Sequence, residues 1–401
     1  MQRRPTFDDY TFLNRWGLTF LGVWRDEGKA DRLLRNCLHN FHVLILFGLM
    51  TLLLVPQWLD IYVLWGNIDA NTETLVLVVF TICAMNKLYC LLSARHIFKD
   101  LISTMEENWK ETMSETGPEA AKHRDILLDM ASKARVYTIR YGFLMYSTAS
   151  MYFVSPFMGM QQDHVRARKY PFFGWYYFDR FSDFYYGLCY LSQVRLVDRS
   201  LMAGVSVGTS NYSADSIFLV AIYHSCAQLR IIQHDLKKLG GESDASTSPG
   251  RVTDLIGKHQ KEIRTARKLA ALFTGSSFQQ LLVSCAIICI IGFKIIITLD
   301  QGGFQVLVYV AFMFVALLQI FLYCRPGDEL ITQSTAVGYA VYQSRWYALD
   351  VPTKRKVNMM ILRSQRPLKM TAGSFYVLSL PNFTKILKTS MSFLSLFKAI
   401  Y

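Results

Sequence analysis

The stretch RSQRPLKMTAGSFYVLSLPNFTKILKTSMSFLSLFKAIY spans residues 363–401. It opens on Arg363, Arg366 and Lys369 and continues as a hydrophobic segment over 374–400 with Lys385 and Lys388 inside it. At about 100° per residue, Lys385, Lys388, Thr389, Ser392, Ser395, Leu396 and Ala399 share one stripe with Pro381. Leu387, Met391, Leu394 and Phe397 fall on the far side. Polar groups at membrane depth need water or a partner. Such a stripe suits a water-filled pore, and small residues also suit close packing on another helix. Leu396 is the one bulky apolar residue on the stripe, near its outer end, where a hydrophobic gate can close by dewetting. One helix cannot enclose a pore, so the pore reading requires an oligomer.

The rest of the chain agrees with a membrane location. Of 401 residues, 52% are hydrophobic and 18% charged. Seven apolar segments centre on 38–60, 72–96, 136–160, 182–208, 276–299, 304–324 and 374–400, the fourth interrupted by Arg195, Asp198 and Arg199. The pattern predicts an all-α polytopic membrane protein with seven transmembrane helices. The net charge of +13 is spread between apolar segments rather than gathered in a patch, which argues against a nucleic-acid partner. Lys and Arg number 7 in 1–36, 8 in 95–140, 9 in 230–268 and 8 in 325–369, against 4 in the alternate connections. The positive-inside rule then gives a cytosolic N-terminus and an outer C-terminus, opposite to a G-protein-coupled receptor. No signal peptide is visible, and the first apolar run reads as a signal anchor.

Helical pattern outruns the bilayer over 122–160, 183–239, 251–299 and 304–348. At 1.5 Å per residue these are roughly 60–80 Å, with the excess on the cytosolic side. In the fifth, Leu255, His259, Ile263, Ala266, Leu269 and Phe273 keep a three-four spacing, with Lys258, Lys261, Arg264 and Lys268 facing elsewhere. This predicts a cytosolic bundle, with 240–250 (GGESDASTSPG) as a flexible loop. The chain divides into a cytosolic segment (1–37), six spans with their extensions (38–324), a cytosolic anchor (325–373) and the pore helix (374–401). Eight cysteines lack zinc spacing and predict no disulfide framework. The histidines form no metal cluster. No cofactor motif, phosphate loop or nucleophile–base pair indicates an enzyme. Asn211 and Asn382 match the glycosylation pattern but are expected to stay unmodified. Gly204 and Gly208 read either as a helix-packing motif or as a break.

The C-terminal LRSQRPLKMTAGSFYVLSLPNFTKILKTSMSFLSLFKAIY (362–401), with AVYQSRWYAL (340–349) ahead of it, resembles the signature of insect odorant receptors. The chain lacks the long cytosolic insertion of that family's shared co-receptor and so resembles a ligand-tuned subunit. The resemblance implies an odorant-gated, non-selective cation channel. It implies a tetramer with the co-receptor, residence in the cell membrane of olfactory sensory neurons, and inter-subunit anchoring by the cytosolic bundle. It also implies a pocket for a small volatile odorant in the outer half, between the second, third, fourth and sixth segments with help from the fifth, and an apolar gate at Leu396. Apolar faces with a few polar groups suit such a pocket. The candidates are Val79, Phe80 and Cys83; Ser147, Ser150, Met151 and Val154; Tyr186, Cys189 and Tyr190; and Tyr309, Phe312 and Met313. Each also fits ordinary interhelical core. A gustatory-type homotetrameric channel and a polytopic transporter remain as alternatives.

Overall fold

The computed structural model describes residues 5–24, 32–63, 65, 68–159, 197–240, 249–298 and 304–400. These residues are nearly all helical: α1 (Phe7–Phe20), α2 (Arg32–Val63), α3 (Ile68–Ser93), α4 (Arg95–Ser114), α5 (Ala120–Gly159), α6 (Val197–Lys237), α7 (Pro249–Thr298), α8 (Phe304–Tyr342), α9 (Val351–Ser364) and α10 (Leu380–Ile400). A 3-10 turn covers Trp346–Ala348, and two short strands, β1 (Thr371–Ala372) and β2 (Tyr376–Val377), make a hairpin. The all-α expectation holds. Among the described residues, four stretches are long and apolar enough to cross a membrane: Leu38–Val63, Thr74–Ser93, and parts of α7 and α8. The predicted fourth segment lies mostly outside the described residues, and the last is made more polar by its lysines.

α6 is the spine. From Ser206 to Ala227 its residues are almost all buried on every side. A helix buried all round requires neighbours that can come close. Here the sequence supplies Ser206, Gly208, Ser210, Ser213, Ala214 and Ser216. Asn14 of α1 donates to Ser216 at 2.7 Å, and Ser210 donates to the Ala84 carbonyl of α3 at 2.9 Å. Gly208 does not break the helix: α6 runs through it, with Met145 and Tyr146 of α5 close by. Asn211 is buried, its amide donating to the Val207 carbonyl at 3.3 Å.

The long helices expected over 122–160 and 251–299 occur as α5 and α7, while the start of the one expected over 183–239 lies outside the described residues. Leu255, His259, Ile263, Ala266, Leu269 and Phe273 are all buried on α7. α8 stops at Tyr342, short of the expected 348, because the Arg345 N–H is taken by the Leu239 carbonyl at 3.0 Å. The expected loop lies largely at 241–248, outside the described residues. The six described-side-chain cysteines, Cys83, Cys90, Cys226, Cys285, Cys289 and Cys324, are free.

Two local features depart from the sequence reading. The N-terminal segment contains a helix, α1, with a capping box: Thr6 Oγ accepts from the Asp9 N–H and Asp9 accepts from the Thr6 N–H. The last helix starts at Leu380 rather than 374. Gly373 and Ser374 both hold positive φ, 62° and 67°, the geometry of a tight hairpin turn that a helix cannot contain. The hairpin pairs Thr371 with Val377 and Ala372 with Tyr376. It is tied to α7 by the Gly373 N–H on the Thr274 carbonyl at 3.1 Å. Asp328 of α8 accepts from the Leu380 N–H at 3.3 Å, capping the start of α10.

On the side away from the apolar stretches, α4, α5 and α6 meet in a charged cluster. His123 lies 2.7 Å from Glu115 and 2.9 Å from Asp235, with His234 edge-on to its ring. The Asp235 hydrogen bond, opposed by burial and helped by Glu115, holds the His123 pKa above the ordinary value near 6.5. Hydrogen bonds from Lys238 and His234 bring Glu119 down to about 2. A raised histidine pKa stabilises the fold fully below its unfolded value, and that contribution fades as pH rises through the folded value. The thermal-midpoint difference between wild type and His123→Gln is therefore expected to be largest near about pH 6 and to shrink toward about pH 9. Thermal scans of both proteins across that range check it; a constant or growing difference contradicts it.

Candidate ligand pocket and pore face

The predicted pocket residues occupy three helices that converge on α6. On α3, Val79 and Phe80 are half-buried and Cys83 is buried. Asn211 of α6 reaches the Phe80 carbonyl at 3.5 Å. On α5, Ser147 and Met151 are half-buried, while Ser150 is exposed and donates to its own helix at the Tyr146 carbonyl. On α8, Tyr309 is buried and Phe312 and Met313 pack against the core. Tyr186, Cys189 and Tyr190 lie outside the described residues, as does the side chain of Val154. α3 and α5 both pack on one level of α6, since Tyr146 shares a hydrogen bond with Thr209 at 3.2 Å and Ser210 bonds α3.

One step toward the charged end of the helices lies a polar cluster that the sequence reading missed. Lys87 of α3 and Asp215 of α6 form an ion pair at 2.5 Å, with side chains 0% and 1% exposed. Tyr141 of α5 donates to Asp215 Oδ2 at 2.8 Å, and Tyr323 of α8 donates to Oδ1 at 2.5 Å. The ammonium also lies 5.9 Å from the Tyr323 ring centroid. Gln319 donates to the Tyr141 hydroxyl at 3.0 Å, and Gln280 of α7 donates to Gln319 Oε1 at 3.0 Å. Cys83, a pocket candidate, donates to Gln280 Oε1 at 3.5 Å. The chain of contacts thus crosses α3, α5, α6, α7 and α8. A lysine inside an apolar run (ICAMNKLYC, 82–90) and an aspartate in SNYSADSIF (210–218) were the available signals.

The α10 stripe is turned away from the rest of its own chain. Lys385, Lys388, Thr389, Ser392 and Ser395 are exposed, as are Met391 (expected on the far side) and Phe393, whereas Ile386 and Ser390 are buried against the core. The side chains of Leu394, Leu396 and Ala399 lie outside the described residues. Thr389 donates to the Lys385 carbonyl, Ser392 to Lys388 and Ser395 to Met391, each at 3.0 Å. Their protons are spent inside the helix. What the hydroxyls present outward is oxygen lone pairs, which accept hydrogen bonds and suit cations.

A long-helix α protein with several apolar, bilayer-length stretches is a polytopic membrane protein. The family model described as 7tm Odorant receptor matches residues 67–391, and the chain belongs to that family. Odorant receptor 13a of Drosophila melanogaster is 29% identical over 214 residues, 50% of this chain and 51% of that one. Odorant receptor 9a of the same fly is 27% identical over 250 residues, 61% of each chain. The matches thus span roughly half to three-fifths of these curated relatives' length. The fold matches that of the olfactory receptor OR5 from Machilis hrabei, solved with eugenol, at a TM-score of 0.77 and 14% identity over 98% of this chain and 100% of that one.

Removing one partner of a buried ion pair costs about 3–5 kcal/mol, while replacing both with apolar groups is often neutral. Asp215→Asn alone is expected to cut surface expression strongly, and Lys87→Met with Asp215→Leu to restore much of it. Surface labelling and size-exclusion profiles of the two variants check this; a double variant no better than the single contradicts it.

Proposed function

We propose that this chain is the ligand-tuned subunit of an odorant-gated, non-selective cation channel that works in a tetramer with a co-receptor. The observation that carries the reading is the exposed polar face of α10, lined with outward-facing hydroxyl oxygens, in a chain of the odorant receptor family. Lipid is a poor partner for Lys385 and Lys388, and water is a good one. In this reading seven spans run with the N-terminus in the cytosol, in four sections at 1–37, 38–324, 325–373 and 374–401. α10 from each subunit surrounds the axis, Leu396 gates it, and the two lysines stand at a wide inner mouth where partner subunits dilute their charge. A small volatile binds among Val79, Phe80, Cys83, Ser147, Met151, Tyr309, Phe312 and Met313 in the outer half. The protein resides in the membrane of olfactory sensory neurons.

Binding opens the pore only if the ligand has a higher affinity for the open arrangement. α7 and α8 provide the connection. Both contribute to the buried polar chain beneath the pocket, through Gln280 and Gln319. Both also hold the entry of α10, through Thr274 and Asp328.

Current recordings against a volatile panel test the reading. Cells expressing this chain with a co-receptor are expected to pass ligand-evoked cation current, and cells expressing it alone to pass little. One methylene removed from a pocket is worth about 0.8 kcal/mol, so Phe312→Leu or Met151→Val is expected to move half-maximal concentrations several-fold and reorder ligands without abolishing expression. Dose–response curves unmoved by either variant place the pocket elsewhere. Leu396→Ser is expected to raise basal current or alter ion selectivity, with Leu394→Ser as control. Equal permeation in both variants and wild type, at matched surface expression, removes the pore role.

A further inference from the structure

Carboxylates run out toward the end of the chain. No Asp or Glu follows Asp350, whereas Lys354, Arg355, Lys356, Arg363, Arg366 and Lys369 all come between it and the hairpin. Most of these lie on α9, which packs along α7. Lys356 donates to Thr253 of α7 at 3.4 Å, and past the end of α9 the Gly373 N–H reaches the Thr274 carbonyl at 3.1 Å. Thr253, Arg267 and Thr274 are separated by multiples of seven residues and fall within about 60° of one another around α7. Arg267 therefore lies on the edge of α7 that borders α9, two turns before the hairpin contact.

Three guanidiniums meet at this seam. Arg267 and Arg366 are exposed and Arg363 is half-buried. Burial, and then the charges of Arg267 and Arg366, hold Arg363 below the ordinary arginine range. Burial and then Arg363 bring His259 of α7 down to about 4, so it stays neutral at the same place. Arg363 uses one of its five N–H donors on the Arg366 carbonyl at 2.7 Å. Arg264, one turn from Arg267, and Lys369, before the hairpin, are exposed as well. Among the described residues, none of these five cations is paired with a carboxylate. The one acidic residue of α7 after Asp254 is Glu262, which is 3% exposed and about 140° around the helix from Arg267. Like charges gathered without a counter-charge repel one another, and an anion of several charges relieves the repulsion.

The place of the seam favours one kind of anion. From Arg267 to Thr274 is about 10 Å of helix, and the apolar run of α7 expected over 276–299 begins just beyond. Arg363, Arg366 and Lys369 directly precede the hairpin that leads into α10. Clusters of about four to eight basic residues just inside a membrane helix recognise anionic headgroups, and arginine forks take phosphate oxygens in pairs. We infer that the seam between α7 and α9 binds the phosphorylated inositol headgroup of an inner-leaflet phospholipid, with Arg267, Arg363 and Arg366 on its phosphates and Arg264 and Lys369 at the rim. The inner leaflet rests on the orientation proposed above. A headgroup held there joins α7 to the segment that launches α10.

The test is native mass spectrometry of the full chain, alone and assembled with a co-receptor, in detergent carrying trace phosphatidylinositol bisphosphate or phosphatidylserine. Wild type is expected to retain the bisphosphate lipid several-fold over the serine lipid in both preparations. Each cation near an anionic surface favours it about five-fold, so Arg267→Gln, Arg363→Gln and Arg366→Gln together are expected to lower retention on the order of a hundred-fold. Their removal relieves repulsion, so the thermal midpoint of the same sample is expected not to fall. Arg363→Lys keeps the charge and loses the fork; its retention is expected to lie between the two, and it reads the site even where the triple variant fails to fold. Lys110→Gln, Lys122→Gln and Lys237→Gln together remove the same charge from exposed positions on other helices and are expected to change nothing. Equal retention of both lipids, or equal loss in the two triple variants, overturns the site in favour of general charge. Retention by the isolated chain but not by the assembly also overturns it, because a partner subunit then covers the seam. Binding of soluble inositol trisphosphate with no lipid retained overturns the membrane source. The readout needs neither odorant nor current, so its failure and that of the channel reading are told apart.

Discussion

Moving an ammonium and a carboxylate out of water costs several kcal/mol each, and no helix carrying only one of them can settle in a dry interior. Lys87 on α3 and Asp215 on α6 resolve this by meeting at 2.5 Å with the lysine side chain fully buried. The carboxylate is then finished by Tyr141 and Tyr323, which bring in α5 and α8. Gln319 and Gln280 extend the same chain to α7. Five helices thus have their rotation and height set by one pair of charges. Apolar packing alone tolerates small slides between helices; a saturated carboxylate does not, because each displaced donor leaves a buried group unpaired.

The position of this pair matters as much as its strength. The predicted pocket residues lie next to it on α3, α5 and α8, and Cys83 is in both groups through its contact with Gln280. On the other side, the same α7 and α8 hold the hairpin and the cap that launch α10. Gly327 of α8 sits so close to Leu378 that a side chain there would strike the Leu378 carbonyl. The contacts between the predicted pocket residues and the start of α10 therefore run through packed helices, with the hairpin held against α7. This is a structural route for coupling, and it acts only where pocket and pore helix each favour one of two arrangements.

The helices were legible because their causes are local. Apolar runs of bilayer length marked α2, α3, α7 and α8, and the three-four spacing of Leu255, Ile263 and Leu269 marked the extension of α7. The polar stripe of α10 was legible for the same reason: neighbours on a helix face are three or four residues apart. What failed to show was whatever depends on distant pairing. Lys87 and Asp215 are 128 residues apart, and either alone reads as a stray charge in an apolar stretch. α1 was lost in a charged N-terminus because its amphipathic pattern lasts only 14 residues. The start of α10 was set six residues early because Phe375, Tyr376 and Val377 look like membrane residues, while positive φ at Gly373 and Ser374 belongs to a turn.

The central claim is that the polar face of α10 meets water in an assembled channel while its buried face does not. Substituted-cysteine accessibility tests it most directly. Thr389→Cys, Ser392→Cys, Ile386→Cys and Ser390→Cys are each expressed with a co-receptor, opened by ligand, and exposed to a charged, membrane-impermeant thiol reagent. The account predicts that the reagent alters current through the Thr389 and Ser392 variants and leaves the Ile386 and Ser390 variants at the level of the wild type. Fast modification at Ile386 and Ser390, with none at Thr389 and Ser392, would contradict it.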